Sequence, residues 1–220
     1  MVNIIALTTS QSPRDDFMQD LLPLLPPDYS VKLVGALDNL TVEQIKKDYV
    51  PAPGEDTFVA RLRNGEMVEV PREKELPLLQ EAIHQAVKDG ADAIIILCTL
   101  PFPVFECKVP LITPYEAMHW FIPAIGPGLK VGTLFPYESH AAIQEKTWRD
   151  HGIDIVPKCL APVVADGQAI AKLYANENID LLVLDCIGFT APARDEAQKL
   201  LKVPVIHAKQ LMVGLLKVLF

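Results

Sequence analysis

Short apolar runs alternate along the chain with longer segments in which apolar positions recur at helical spacing. The apolar runs predict β-strands at residues 3–7, 31–36, 93–97, 111–112, 131–134, 153–156, 181–184 and 205–206. The amphipathic segments predict helices at residues 15–25, 76–88, 138–150, 166–176 and 193–201, with a terminal helix at 211–220. Strands that alternate with helices are typical of βαβ units, so the pattern predicts an α/β fold with mainly parallel sheets.

Residues 57–70 interrupt this alternation. There, Asn64-Gly65 separates two runs of alternating polarity, which is a strong signal for a short β-hairpin. We therefore expect a small antiparallel hairpin inserted near residues 57–70.

The second half of the chain repeats the first. Residues 92–98 contain an acidic residue, a buried strand and then Cys98, and residues 180–186 repeat this order and end at Cys186. The repeat predicts two pseudo-symmetric lobes, each Rossmann-like (flavodoxin-like) with a parallel sheet. The predicted domains are an N-terminal α/β lobe of residues 1–113 plus 208–220 and a C-terminal α/β lobe of residues 114–207.

Composition narrows the classes of protein and of partner. The 220 residues are half apolar, and their net charge of −8 argues against a general nucleic-acid partner, which needs a basic face. The N-terminal apolar run is too short for a signal peptide, and the C-terminal apolar tail carries Lys217 and falls short of the roughly 20 residues that span a bilayer. We therefore expect a cytoplasmic protein with no membrane partner.

The sequence predicts neither a metal site nor a bound cofactor. The four cysteines include no Cys-x-x-Cys pair, and the five histidines lack metal-ligand spacing, so we expect the histidines to be solvated or capping groups. Gly126-Pro127-Gly128 precedes a predicted strand instead of following one, so it is not a dinucleotide-binding fingerprint.

Cys98 and Cys186 are the candidate catalytic residues. Both follow predicted parallel strands, at the sheet edge where α/β proteins bind ligands. A nearby helix N-terminus and backbone N–H groups can lower a thiol pKa there, which favours the reactive thiolate. If the lobes face each other across a cleft, one cysteine can act as base and the other as acid. Packing is the alternative role for each cysteine, and it is the one we expect for Cys107 and Cys159.

Loops after the predicted strands supply candidate substrate-binding residues. Thr8, Ser10 and Arg14 follow the first strand, where hydroxyls and a guanidinium can hold a carboxylate. The same loop also reads as an ordinary helix N-terminus, so both roles remain open. Ser139 follows the first predicted strand of the second half, and the same two roles are open for it. Thr99 is a further candidate because it adjoins Cys98.

Three segments carry a resemblance to a known family. They read Ser10-Gln11-Ser12-Pro13-Arg14-Asp15, Tyr49-Val50-Pro51-Ala52-Pro53-Gly54-Glu55-Asp56-Thr57 and Asp185-Cys186-Ile187-Gly188-Phe189. With them the chain resembles the AroM family of the aspartate/glutamate/hydantoin racemase-like superfamily. The resemblance implies two α/β lobes with one catalytic cysteine from each. Residues 131–137 also resemble the start of the second lobe in maleate isomerases and arylmalonate decarboxylases, which implies that Tyr137 contacts substrate.

The chain departs from the racemase pattern at both cysteines. Racemases usually have Cys-Asn-Thr at the first, where this chain has Cys98-Thr99-Leu100, and Cys-Thr at the second, where it has Cys186-Ile187-Gly188. Gly188 and Thr190 are therefore the candidate ligand contacts of the second loop, with Thr190 replacing the missing hydroxyl. The Gly54-Glu55-Asp56-Thr57 segment reads as a turn or as a lid.

Together, the residues and the resemblance predict a cofactor-independent racemase or isomerase that acts on a small carboxylate, either an amino acid or a dicarboxylate-like acid. Its two cysteines would act as an acid/base pair or as a nucleophile. The alternatives are a non-catalytic ligand-binding or regulatory protein and a single-cysteine decarboxylase. A homodimer is left open as the oligomeric state.

Overall fold

A computed structural model describes residues 1–126 and 128–220 of the chain and leaves out the side chains of Ser139 and His140. Its contacts divide the chain into two units. The first unit comprises Met1–Cys98, Phe102–Thr113 and Phe220, and the second comprises Thr99–Pro101 and Pro114–Leu219.

The first unit is built on a parallel sheet. Its elements are β1 (Val2–Thr8), α1 (Asp15–Leu21), β2 (Tyr29–Gly35), α2 (Val42–Asp48), β3 (Thr57–Arg61), β4 (Met67–Pro71), α3 (Arg72–Lys88), β5 (Ala93–Ile96) and β6 (Leu111–Ile112). The sheet has the order β2-β1-β5-β6, and all of its pairs are parallel. β3 and β4 form a separate antiparallel pair.

The second unit has the same architecture. Its elements are α4 (Pro114–Ile125), β7 (Lys130–Phe135), α5 (Glu138–Asp150), β8 (Asp154–Cys159), α6 (Gly167–Tyr174), β9 (Leu181–Leu184), α7 (Ala191–Leu201), β10 (Val205–His207) and α8 (Ala208–Leu219). The parallel sheet has the order β10-β9-β7-β8. Numbered from its own first strand, each sheet has the order 2-1-3-4. The predicted α/β class with two parallel sheets and a hairpin insertion is confirmed.

Each unit encloses its own apolar core. In the first unit, β1 and β5 pack on α3 through side chains such as Leu7, Ile83 and Ile96. A second cluster, which includes Leu37, connects the hairpin to α2. In the second unit, β7 and β9 pack on α6 and α7. Within the described residues, no helix combines the length and the apolar character that a membrane crossing requires.

The C-terminal helix α8 belongs to a different unit from the one that the sequence predicts. The sequence predicts that residues 208–220 belong to the N-terminal lobe, but α8 packs on α4 and buries Met212, Val213 and Leu216. Residues 208–219 therefore group with the second unit, and Phe220 alone groups with the first.

The hairpin turn has a different form from a two-residue loop. The amide of Gly65 donates to the carbonyl of Leu62, and the amide of Leu62 donates to the carbonyl of Glu66. Gly65 adopts a φ of 87°, while Asn64 keeps a negative φ. This pattern is a type I turn followed by a left-handed glycine, the common three-residue hairpin loop.

Candidate active site

The strand registers place Cys98 and Cys186 at equivalent positions of the two units. In the first unit Leu7 of β1 lies opposite Ile96 of β5, and in the second Leu134 of β7 lies opposite Leu184 of β9. Each cysteine is the second residue after the paired residue of its strand. Both therefore lie beyond the carboxyl end of the third strand of a 2-1-3-4 sheet, beside the first strand. This is the position where the strand order reverses and where doubly wound sheets bind ligands.

The surroundings of the four thiols differ. Cys98 and Cys186 are both partly exposed, and the amide of Gly188 donates to Cys186 Sγ at 3.3 Å. Cys107 Sγ donates to the carbonyl of Val109 at 3.2 Å, which is a structural contact. Burial, reinforced by the carboxylate of Glu138, raises the pKa of the Cys159 thiol to about 11. A thiol with such a pKa is seldom a thiolate at neutral pH.

The candidates of the β1–α1 loop are buried and bonded to one another. Thr8 and Ser10 are each 1% exposed, and Ser10 Oγ accepts hydrogen bonds from Arg14 Nη1 at 2.9 Å and from the amide of Arg61 at 3.0 Å. Arg14 also forms a bidentate pair with Asp16, at 3.0 and 2.8 Å. Arg14 is therefore already paired with a carboxylate of its own unit, so it could bind a substrate carboxylate only by sharing or exchanging that partner.

The hairpin holds this loop in place. The amide of Gln11 donates to the carbonyl of Arg61, and the amide of Arg63 donates to Gln11 Oε1. Arg63 Nε donates to the carbonyl of Ser12, and its Nη2 reaches Asp38 Oδ1 at 3.0 Å. The insertion thus fixes the conformation of the loop that follows β1.

The Gly54-Glu55-Asp56-Thr57 segment forms a turn and an anchor. Glu55 Oε2 accepts from the amide of Ala52 at 2.7 Å, which closes the turn. Asp56 pairs with Arg72 at 3.2 Å, and the Arg72 guanidinium lies over the Phe58 ring at 4.9 Å. These contacts tie the start of β3 to the start of α3.

Asp185, which precedes Cys186, is the residue that sequence reasoning missed. It occupies the position equivalent to Leu97 in the first unit, and it is 1% exposed. Burial raises the pKa of its carboxyl to about 6, although the hydrogen bond from Trp148 opposes the rise. Trp148 Nε1 donates to Asp185 Oδ2 at 2.8 Å, and Thr99 Oγ1 donates to the Asp185 carbonyl at 3.1 Å.

Two histidines are buried, so the expectation that the histidines are solvated or capping groups is wrong for them. His119 is 2% exposed because its ring stacks between those of Tyr115 and Trp148, with centroids at 4.3 and 4.1 Å. Burial lowers the pKa of His119 to about 4. His207 is 1% exposed, and its Nε2 lies 2.8 Å from the carbonyl of Phe189.

The remaining candidates lie in the loops after β7 and β9. Tyr137 is partly exposed and immediately precedes α5, whereas the side chain of Ser139 lies outside the described part of the chain. Gly188 contacts Cys186 through its amide. Thr190 is exposed, and its Oγ1 caps α7 by accepting from the amide of Ala193 at 3.3 Å. Across the described residues, no group of three or more His, Cys, Asp or Glu side chains is placed to hold a metal ion.

Comparisons with known proteins agree with this architecture. A family model described as AroM protein matches residues 4–220. A search of curated proteins found no match. Among solved structures, an allantoin racemase from Klebsiella pneumoniae superposes with a TM-score of 0.66 at 14% identity, covering 100% of this chain and 87% of its own.

Two further solved structures superpose over nearly the whole chain. A variant of the maleate isomerase Iso from Pseudomonas putida S16, crystallised with maleate, gives a TM-score of 0.66 at 13% identity, covering 99% of this chain and 92% of its own. An aspartate racemase from Picrophilus torridus gives 0.61 at 14% identity, covering 98% and 93%. These similarities show the fold.

Proposed function

The chain belongs to the AroM family, and we propose that it is a cofactor-independent racemase or isomerase that acts on a small carboxylate. In this proposal Cys98 and Cys186 form the acid/base pair. One observation carries it: the two sheets place these thiols at equivalent positions beyond matched strand pairs. Two thiols at equivalent ligand-binding edges of a repeated fold are more than packing requires.

The local contacts fit these roles. Cys186 Sγ accepts the Gly188 amide, and a hydrogen bond to sulfur stabilises the thiolate over the thiol. In contrast, burial raises the pKa of the Cys159 thiol and so favours its protonated form, and the Cys107 thiol donates to a backbone carbonyl.

The proposed reaction moves one proton at each thiol. The thiolate of one cysteine takes the proton from the carbon next to the substrate carboxylate, and the electron pair of that C–H bond remains on the substrate. The thiol of the other cysteine then gives its proton to the opposite face of the same carbon. The first cysteine ends as a thiol and the second as a thiolate, so the configuration is inverted without a redox change.

The charge that develops on the substrate carboxylate needs donors already in place. Thr190 suits this task because its oxygen accepts the cap hydrogen bond and its own O–H can still donate. Tyr137 is the second proposed donor. Thr8, Ser10 and Thr99 are buried and bonded within the protein, so we assign them to shaping the loops.

The substrate class rests on the same chemistry. A carboxylate acidifies the neighbouring C–H bond only when its charge is stabilised, which matches loops rich in amides and hydroxyls. The maleate isomerase of the same fold was crystallised with maleate, a small dicarboxylate, which favours acids of that size.

The test measures deuterium incorporation at the α carbon of small 2-amino, 2-hydroxy and dicarboxylic acids that are incubated with the protein in deuterated water. We expect at least one acid to exchange, and we expect Cys98→Ser and Cys186→Ser each to reduce its interconversion at least 100-fold. Cys107→Ser and Cys159→Ser are matched controls, because both remove a partly exposed free thiol, and they should retain activity. Exchange that survives in the Cys98→Ser, Cys186→Ser double variant would contradict the proposal.

A further inference from the structure

A small polar cavity lies inside the second unit. Its volume is about 10 Å³, which is room for about one water-sized occupant. It is lined by α4, α5, the residue after β9 and the loop that starts at Thr99. The lining residues are Thr99, Pro101, Tyr115, His119, Ile143, Gln144, Thr147, Trp148 and Asp185.

Three lining side chains carry a buried acceptor atom that has no hydrogen-bond partner among the described residues. The atoms are Asp185 Oδ1, Gln144 Oε1 and His119 Nε2. Their side chains belong to residues that are 1%, 5% and 2% exposed. An unpaired buried polar atom destabilises the folded protein, so three at one cavity indicate an absent donor.

The hydrogen-bond partners of the second polar atom in each of these side chains show that the unpaired atom is an acceptor. His119 Nδ1 lies 2.8 Å from the carbonyl of Tyr115, which can only accept, so Nδ1 carries the proton and Nε2 is the acceptor. Gln144 Nε2 faces the Asp185 carbonyl at 3.5 Å, which leaves Oε1 as the end without a partner. Asp185 Oδ2 already accepts from Trp148.

Three of the donors that line the cavity are already used. Thr99 Oγ1 donates to the Asp185 carbonyl, and Thr147 Oγ1 donates to the carbonyl of Ile143 at 2.9 Å. Trp148 Nε1 donates to Asp185. The cavity therefore presents two oxygen acceptors, one nitrogen acceptor and a buried carboxyl group.

We infer that this cavity is a binding site for an ammonium ion, held by Asp185, Gln144 and His119. A water molecule donates only two hydrogen bonds and brings no charge to the buried carboxylate, whereas ammonium donates four and carries one positive charge. An alkali cation of similar size matches the carboxylate and amide oxygens but suits the imidazole nitrogen poorly, while an N–H donor bonds to nitrogen and oxygen alike.

The test is thermal unfolding of the full chain in increasing ammonium chloride, compared with equal concentrations of choline chloride and potassium chloride. We expect a saturable rise in Tm that ammonium alone produces, because only the folded protein has the site. Asp185→Asn should abolish it, since the variant removes the charge and places an amide donor in the cavity. Asp154→Asn, which neutralises an exposed carboxylate on β8, should respond like the wild type.

A direct readout separates the outcomes. With ¹⁵N-labelled ammonium we expect a bound NMR signal in the wild type and in Asp154→Asn, and none in Asp185→Asn. An ammonium effect no larger than that of choline, or one that persists in Asp185→Asn, would overturn the inference. An equal effect of potassium would overturn the choice of ammonium. None of these results depends on the activity of the cysteines.

Discussion

Thr99 Oγ1 donates a hydrogen bond to the backbone carbonyl of Asp185 at 3.1 Å. Thr99 follows Cys98 in the chain and Asp185 precedes Cys186, so one hydrogen bond connects the immediate neighbours of both candidate catalytic residues. Thr99 is 7% exposed and Asp185 is 1% exposed, so solvent does not readily replace this bond.

Thr99→Val should cost about 1 kcal/mol of unfolding free energy, because it removes the donor and leaves the Asp185 carbonyl with only the 3.5 Å contact from Gln144. Urea denaturation measures the change. Thr147→Val removes a similar hydroxyl bond on α5 at a more exposed site, and it should cost less than about 0.5 kcal/mol. Equal losses in the two variants would show that the Thr99 bond has no special weight.

The shifted pKa values of Asp185 and His119 predict opposing effects of pH on the free energy of unfolding. The folded pKa of Asp185 is about 6, against 3.8 for an ordinary aspartate, so the folded state holds the extra proton and stability falls as pH rises from about 4 to about 6. The folded pKa of His119 is about 4 against 6.5, so stability rises with pH over about 4 to 6.5. Each effect is on the order of a few kcal/mol, and the two oppose each other.

Single variants should reveal the two slopes. In a buffer free of ammonium, Asp185→Asn should gain stability from pH 4 to 6.5, and His119→Asn should lose it from pH 4 to 6, each relative to the double variant. Denaturation midpoints at pH 4, 5, 6 and 7 supply the measurement. Parallel pH profiles for the two single variants would rule out the opposing titrations.

Ser10→Ala should cost about 1–3 kcal/mol of unfolding free energy. The hydroxyl accepts from both Arg14 and the Arg61 amide, and its loss leaves two donors unpaired at a buried site. Ser30→Ala on β2 is the control, because Ser30 is exposed, and it should change stability by less than about 0.5 kcal/mol. A Ser10→Ala variant as stable as the control would mean that the two hydrogen bonds to the Ser10 hydroxyl do not stabilise the loop.

Gly35→Ala should destabilise the first unit by about 2–3 kcal/mol. An added Cβ would lie 2.4 Å from the carbonyl oxygen of Ser10 and 2.8 Å from the amide nitrogen of Ser12, and neither backbone atom can move cheaply. Gly214→Ala on α8 meets no atom within 4 Å and should instead stabilise by about 1 kcal/mol. Calorimetric unfolding distinguishes the two signs.

Most of the strands and helices could be predicted from the hydrophobic periodicity and from the internal repeat. The predicted strands at 111–112 and 181–184 match β6 and β9, because the polar or proline residues that flank these short apolar runs define where each strand begins and ends. α4 was not predicted, although its prolines are compatible with a helix, since Pro114 lies in the opening turn and Pro123 near the end. α2 was missed because seven residues show too little periodicity, although Thr41 and Gln44 form a capping box.

The candidate site was also predictable only in part. The repeat located Cys98 and Cys186, since equivalent positions in two halves are visible in one sequence. It did not reveal the contacts of Asp185, because Trp148 and Thr99 are far from it in sequence and meet it only through the packing of α5 and of the loop after Cys98. A carboxylate at the end of an otherwise apolar strand, where the first half has Leu97, was the available signal.

The central claim is that two thiols transfer protons at opposite faces of one carbon. Its most direct test is enantiomer-resolved α-deuterium exchange in deuterated water, with each enantiomer of the acid that the wild-type protein interconverts. Both single variants, Cys98→Ser and Cys186→Ser, should stop interconversion, and each should still exchange one enantiomer, with the opposite preference in the two variants. If both variants exchange the same enantiomer, or if either one still interconverts the pair at the wild-type rate, the two-thiol account is wrong.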